Sequence, residues 1–203
     1  MNDLPLINGK PVIYFDEDRR QWVHPEWVRV YRSLDFGFWP DPSVVLWFVV
    51  IGRRCICFKE MVRYKVIAED LAREVLQESA GMRIVTTYCD PSMDVQDGAD
   101  VLTIRGRFER NGIPLDPSVN NREYFATALN SALKMEAEPG IPIFQMLQTG
   151  CPYLTKSLPQ MRYDEKHPLA LARHKHDHAP VAAAYFFMSQ VPSTTPTQQQ
   201  QTP

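Results

Sequence analysis

The chain holds no G-x-x-x-x-G-K-[ST] loop and no G-x-G-x-x-G after its first strand, so neither a phosphate-binding ATPase loop nor a dinucleotide fold is written in it. Its longest apolar run, residues 44–51, is far too short to span a bilayer. Residues 1–10 lack the basic start and apolar stretch of a secretory leader. There are only four cysteines in 203 residues, too few for a disulfide framework; buried reduced thiols are the expectation. Excess charge is absent too. A formal net charge of −2 argues against a strongly basic protein that coats nucleic acid.

What remains is ordinary for one globular domain: 44% hydrophobic and 23% charged residues, enough to bury a substantial core. Residues 1–25 read as a polar, linker-like approach with a strand only at 12–15. Residues 26–190 carry the periodic segments. Residues 191–203, rich in Pro, Thr and Gln, have the composition of a disordered tail. Strands are expected at 27–35, 44–51 and 54–61, the last two joined by the Gly52-Arg53 turn into a hairpin. A helix at 67–80 closes at Gly81, a strand follows at 83–90, and a helix at 99–111 stops at Gly112. Further expectations are a short strand at 113–115, a helix at 121–137, a strand at 141–146, a short helix at 152–158 and a last helix opened by Asp177. Three antiparallel strands followed by helix–strand alternation predict an α/β fold, a mixed sheet flanked by helices.

Three acids stand at the edges of these elements. Asp35 ends the first long strand, Asp90 ends the fourth, and Asp177 opens the last helix. A carboxylate at the end of a buried strand is costly unless water, a partner or a metal meets it. Three of them point to one cation site. Hard ions such as Mg²⁺ or Mn²⁺ prefer carboxylate and water, and a pair of them serves phosphodiester hydrolysis. Gathered acids repel, so at least one pKa should rise. Asp41 is an accessory candidate. Each acid also has a plainer role open to it: a turn for Asp35, Asp41 and Asp90, a helix cap for Asp177.

His174, His176 and His178 alternate around Asp177. Without cysteine partners this run does not match a tetrahedral zinc spacing. His176 and His178 are accessory candidates for orienting a phosphate or a water. Basic residues gather as Arg53, Arg54, Arg63 and Lys65, then Arg105, Arg107, Arg110 and Arg122. Charge runs of this kind are commonly solvated faces; beside an acid cluster they become candidate phosphate contacts.

These residues resemble the C-terminal nuclease domain of the large terminase subunit of tailed bacteriophages. The resemblance runs through Ser33-Leu-Asp-Phe-Gly-Phe-Trp-Pro-Asp-Pro42 and Thr87-Tyr-Cys-Asp-Pro-Ser92. It continues in Asn111-Gly-Ile-Pro-Leu115, Asn120-Asn-Arg122, Cys151-Pro-Tyr-Leu154 and Tyr163-Asp-Glu-Lys166. It closes with Asp177-His-Ala-Pro-Val-Ala-Ala-Ala-Tyr185. It implies an RNase H-like fold and an endonuclease that cuts concatemeric viral DNA during packaging, with Asp35, Asp90 and Asp177 as metal-binding and catalytic acids and Asp41 beside them. Two divalent ions, Mg²⁺ or Mn²⁺, and double-stranded DNA are implied. So are a terminase ATPase domain, a small terminase subunit and a portal protein as partners, and the cytoplasm of an infected or prophage-carrying bacterium as location. Residues 1–25 look like the join after such a motor. Val181 and Ala184 stand where the family pattern has a second acid and an arginine. That departure leaves room for a weak or inactive DNA-binding and portal-docking module. Another RNase H-like nuclease, such as a junction resolvase, would use the same late aspartate.

Overall fold

The computed structural model describes residues 4–7, 9–95, 102–119, 121–167, 170–172 and 177–190. Its centre is a six-stranded sheet built from β1 (Val30–Asp35), β2 (Ser43–Ile51), β3 (Arg54–Arg63), β4 (Ile84–Cys89), β5 (Asp116–Pro117) and β6 (Phe144–Met146). The strand order is β6-β3-β2-β1-β4-β5. β1, β2 and β3 are antiparallel, as expected; β4 joins β1, β5 joins β4 and β6 joins β3 in parallel. The flanking helices are α1 (Ala68–Glu78), α2 (Ile104–Arg110), α3 (Arg122–Lys134), α4 (Pro152–Ser157) and α5 (His178–Gln190).

β2 is apolar at successive positions because both its faces are covered. Val45, Trp47 and Val49 point into one core with α1 and α2, while Val44, Leu46 and Phe48 point into the other with α3 and α5. α5 is apolar all round, which marks a helix with little solvent face. Nine of its residues are buried, and Ala182, Ala183 and Ala184 let it lie close over β1 and β2. Phe186 stacks on Phe48 with centroids 4.1 Å apart. Among the described residues no helix is long and apolar enough to cross a membrane.

Several boundaries shift for physical reasons. The buried face of α1 is Ala68, Leu71, Ala72 and Val75; Ile67 and Leu76, expected on that face, are exposed. α2 starts at Ile104 because the Thr103 hydroxyl accepts the Gly106 N–H at 3.0 Å and caps it. Residues 113–115 form no strand. Ile113 and Leu115 are buried there, and the pairing with β4 begins one residue later, at Asp116. The expected strand 141–146 splits: Ile141–Pro142 pairs with Glu136–Glu138, and Phe144–Met146 pairs with β3. In the approach segment Tyr14–Asp16 pairs with Gln21–Val23. Val12 and Ile13 are buried in the first core, and Trp22 packs edge-on to Phe58 at 5.2 Å. Residues 191–203 lie outside the described residues.

Candidate active site

Asp35 is the last residue of β1, and Asp90 directly follows β4. Leu34 pairs with Cys89 in parallel register, so the two acids lie side by side at the ends of adjacent strands. Strand alternation puts Asp35 on the face of Tyr31 and Asp90 on the face of Tyr88. Both tyrosines belong to the core that α5 covers. Asp177 directly precedes α5 and is 7% exposed; its carbonyl accepts the Val181 N–H at 2.8 Å in the first helical turn. Sheet register and helix position together bring three acids, far apart in the sequence, to one end of the sheet.

His178 ties this cluster together. Its Nδ1 lies 2.8 Å from Asp35 Oδ2, while Nε2 lies 3.4 Å from Asp41 Oδ1 and 4.0 Å from Asp177 Oδ1. Asp90 Oδ1 accepts the Ser92 N–H at 2.7 Å, and Asp90 Oδ2 accepts the Tyr185 hydroxyl at 2.6 Å. Burial pushes the Asp35 carboxyl above the usual carboxylate range. The His178 hydrogen bond and charge oppose that rise, and the charges of Asp177 and Asp90 reinforce it. For His178, burial disfavours the charged ring, but the Asp35 hydrogen bond and the charges of Asp35, Asp177 and Asp41 outweigh it. The net shift is upward, toward imidazolium.

The donor set is one of oxygens, the chemistry of a hard divalent ion. A carboxyl raised by loss of solvent and further by two neighbouring carboxylates is one that a cation would stabilise. Yet among the described residues no group of three or more His, Cys, Asp or Glu is arranged to hold a metal ion. The imidazole bridges Asp35 and Asp41.

The basic candidates separate. Arg63 and Lys65 are at the acid end of the sheet, since β3 ends beside Ser43, the residue before Asp35's partner Val44. Arg63 is half-buried and bonds Glu74 at 2.6 Å. Arg105 bonds Asp94 at 3.0 Å, in the turn after Asp90, and Glu109 at 2.8 Å. Arg107 bonds Glu69 at 2.7 Å, and Arg110 is exposed at the end of α2. Arg53 and Arg54 sit at the opposite end of β2, roughly 20 Å along the strand from Val44. Arg54 is 5% exposed and bonds Gln145 at 3.0 Å, tying β3 to β6. The side chain of Arg122 and all of His176 lie outside the described residues.

Two tyrosines join the site without having been singled out in the sequence. Tyr185 closes the 177–185 stretch, but a tyrosine in an apolar helix reads as packing; only its bond to Asp90, 95 residues away, gives it a role. The Tyr153 hydroxyl is buried without a partner among the described residues. Burial, helped by the charges of Tyr64, Asp177, Glu60 and Asp35, pushes it up to about 12. Glu60 fixes its backbone, accepting the N–H groups of Tyr153 at 2.5 Å and Leu154 at 2.8 Å.

No family model and no curated protein matches the chain. Solved structures do. A large terminase from a thermophilic bacteriophage is 14% identical with a TM-score of 0.66, over 87% of this chain and 43% of that one. The nuclease domain of the P22 large terminase is 13% identical with a TM-score of 0.64, over 83% and 84%. The large terminase nuclease of thermophilic phage G20c, solved with bound magnesium, is 15% identical with a TM-score of 0.57, over 82% and 83%. The chain thus spans less than half of the first of these proteins but most of the isolated nuclease domains. Its fold is that of the RNase H-like terminase nuclease domains.

Proposed function

We propose that this chain is a divalent-metal-dependent DNA endonuclease of the terminase kind, cutting double-stranded viral DNA during packaging with little sequence preference. One observation carries the reading: Asp35, Asp90 and Asp177 are gathered at one end of the sheet, where the Asp35 carboxyl, only 15% exposed, is raised. The magnesium bound in the G20c nuclease supports the choice of ion.

Asp35, Asp90 and Asp177 would hold two Mg²⁺ or Mn²⁺ ions, with Asp41 beside them. Those ions would supply an activated water and neutralise the charge developing on the phosphate. The protein's own part is positioning. Ser92 and Tyr185 fix both oxygens of Asp90, and His178 sets the orientation of Asp35. Arg63, Lys65 and Arg105 face phosphate from the acid end, which makes binding salt-dependent. The expected partners are an ATPase domain, a small terminase subunit and a portal protein, in the cytoplasm of the host. A similar large terminase of a thermophilic bacteriophage, solved in complex with ATP-gamma-S, supports the first of these.

A second reading, a docking module that binds DNA without cutting, is favoured by two features. His178 bridges Asp35 and Asp41, and Val181, only 6% exposed, offers no further acid. Calorimetric titration with Mn²⁺ separates the two. Saturable binding is expected for the wild type, weakened at least about tenfold in Asp177→Asn, since even residues behind a ligand cost that much. A wild type that takes up no Mn²⁺ would leave the docking module, and a variant that binds it equally would take Asp177 out of the metal site.

A further inference from the structure

Beside the acids, the loop from β1 to β2 and the corner after β3 present large rings to solvent. Phe38 is 49% exposed, Trp39 61% and Tyr64 47%. Scattered apolar side chains are normal on a surface, but Trp39 and Tyr64 together at one corner form a patch that asks for an occupant. The patch is built rather than loose. Trp39 and Tyr64 meet edge-on with centroids 6.4 Å apart, and Lys65 Nζ lies 4.3 Å from the Trp39 ring centre. The Lys65 N–H donates to the Phe38 carbonyl at 2.8 Å, closing the corner across the sheet end. Lys65 holds a φ of +56°, a left-handed conformation that costs a non-glycine residue about 1 kcal/mol or more and persists where surroundings enforce it. The other side of the loop is tied down as well, by the Ser43 hydroxyl donating to the Gly37 carbonyl at 2.6 Å.

Position and charge name the occupant. Trp39 stands two residues before Asp41, which contacts His178, and Lys65 borders the rings on the side of β3. Indole and phenol faces with a lysine beside them match a nucleotide: ring on base, ammonium on phosphate. Base faces are closed inside a duplex and open only where a strand is frayed, gapped or unpaired. We propose that Trp39, Tyr64 and Lys65 form a stacking platform for an unpaired nucleotide of the DNA strand next to the cut. The proposal rests on the nuclease reading and narrows its substrate to DNA locally opened beside the scissile bond.

The test is anisotropy of labelled DNA in EDTA, where nothing is cut, comparing a blunt duplex with the same duplex carrying a short single-stranded gap. The wild type is expected to favour the gapped DNA. Trp39→Ala should lose about tenfold on gapped DNA, the value of one stacked base, and little on the blunt duplex, while Trp39→Phe keeps most of the preference. Lys65→Ala should lower the dependence on salt by about one phosphate contact. Trp39 is exposed, so these variants should keep the wild-type melting temperature. Equal binding of both DNAs by the wild type, or a Trp39→Ala variant that treats them as the wild type does, overturns the platform. So does a variant that changes only self-association. If plasmid cleavage with Mn²⁺ persists alongside such a result, the nuclease reading stands and the platform alone falls.

Discussion

Asp35→Asn is expected to lower metal-dependent cleavage by on the order of 10²–10³-fold while leaving the metal-free chain folded and slightly more stable. The loss follows from the position of Asp35 between the other acids, where a group that fixes the charge at the reacting phosphate is worth that much. The gain follows from linkage. The Asp35 carboxyl is raised above its ordinary 3.8 by burial and by Asp90 and Asp177, net of His178. Ionisation therefore costs folding free energy: the carboxyl's contribution is intact below 3.8 and is lost as pH rises through the folded value. His178 acts in the same direction. Its folded pKa is raised above 6.5, so its contribution is present below 6.5 and lost as pH climbs through the raised value. Without the Asp35 charge both dependences flatten. In EDTA near neutral pH, a change on the order of 1 kcal/mol would move the melting temperature up by about 2–4 °C. Thermal scans across pH, set beside a cleavage assay, check both halves. Wild-type cleavage by Asp35→Asn would remove it from the site.

The second large effect concerns stability. Gly150→Ala is expected to cost about 3 kcal/mol or more, lowering the melting temperature by roughly 6–12 °C, because the added Cβ meets rigid backbone. That Cβ would stand 1.9 Å from the Phe58 carbonyl oxygen, 2.9 Å from its carbon and 2.9 Å from Trp22. The backbone neighbour has no room to retreat. Phe58 is fully buried in β3, and the Gly150 carbonyl accepts the Glu60 N–H at 2.9 Å on the same strand. Displacing Gly150 also shifts Cys151 and the start of α4, where Glu60 holds the Tyr153 and Leu154 N–H groups. Urea unfolding at 25 °C should show a lower midpoint with the slope unchanged. A midpoint equal to that of the wild type would mean that the 147–151 segment does not approach β3 as described.

How much of this was readable in the chain depends on the range of the physics involved. β2 was legible because a strand covered on both faces must be apolar at every position. The hairpin with β3 followed from Gly52, whose φ is +60°. Asp35, Asp90 and Asp177 stood out because each ends or opens an element, and parallel pairing of β1 with β4 is what makes two of them neighbours. Local pattern could not say what Arg54 does. Its charge reads as surface, but its partner, Gln145, lies 91 residues away. Tyr185 and Tyr153 escaped for the same reason, since their surroundings exist only after α5 and α4 dock. The stretch from 36 to 43 reads as the connection after the first strand, from Gly37, Pro40 and Pro42. That it lifts Trp39 against Tyr64 and Lys65 depends on β3 ending alongside it.

The most direct test of the central claim is cleavage of supercoiled plasmid by the wild-type chain with Mn²⁺, Mg²⁺ or EDTA, beside Asp90→Ala. Asp90 lies next to Asp35 in register and is oriented by Ser92 and Tyr185. Nicking and linearisation with metal, none in EDTA, and loss of cleavage in a folded Asp90→Ala variant are the results expected of a metal-dependent nuclease. A folded wild type that leaves the plasmid supercoiled with either metal would contradict it.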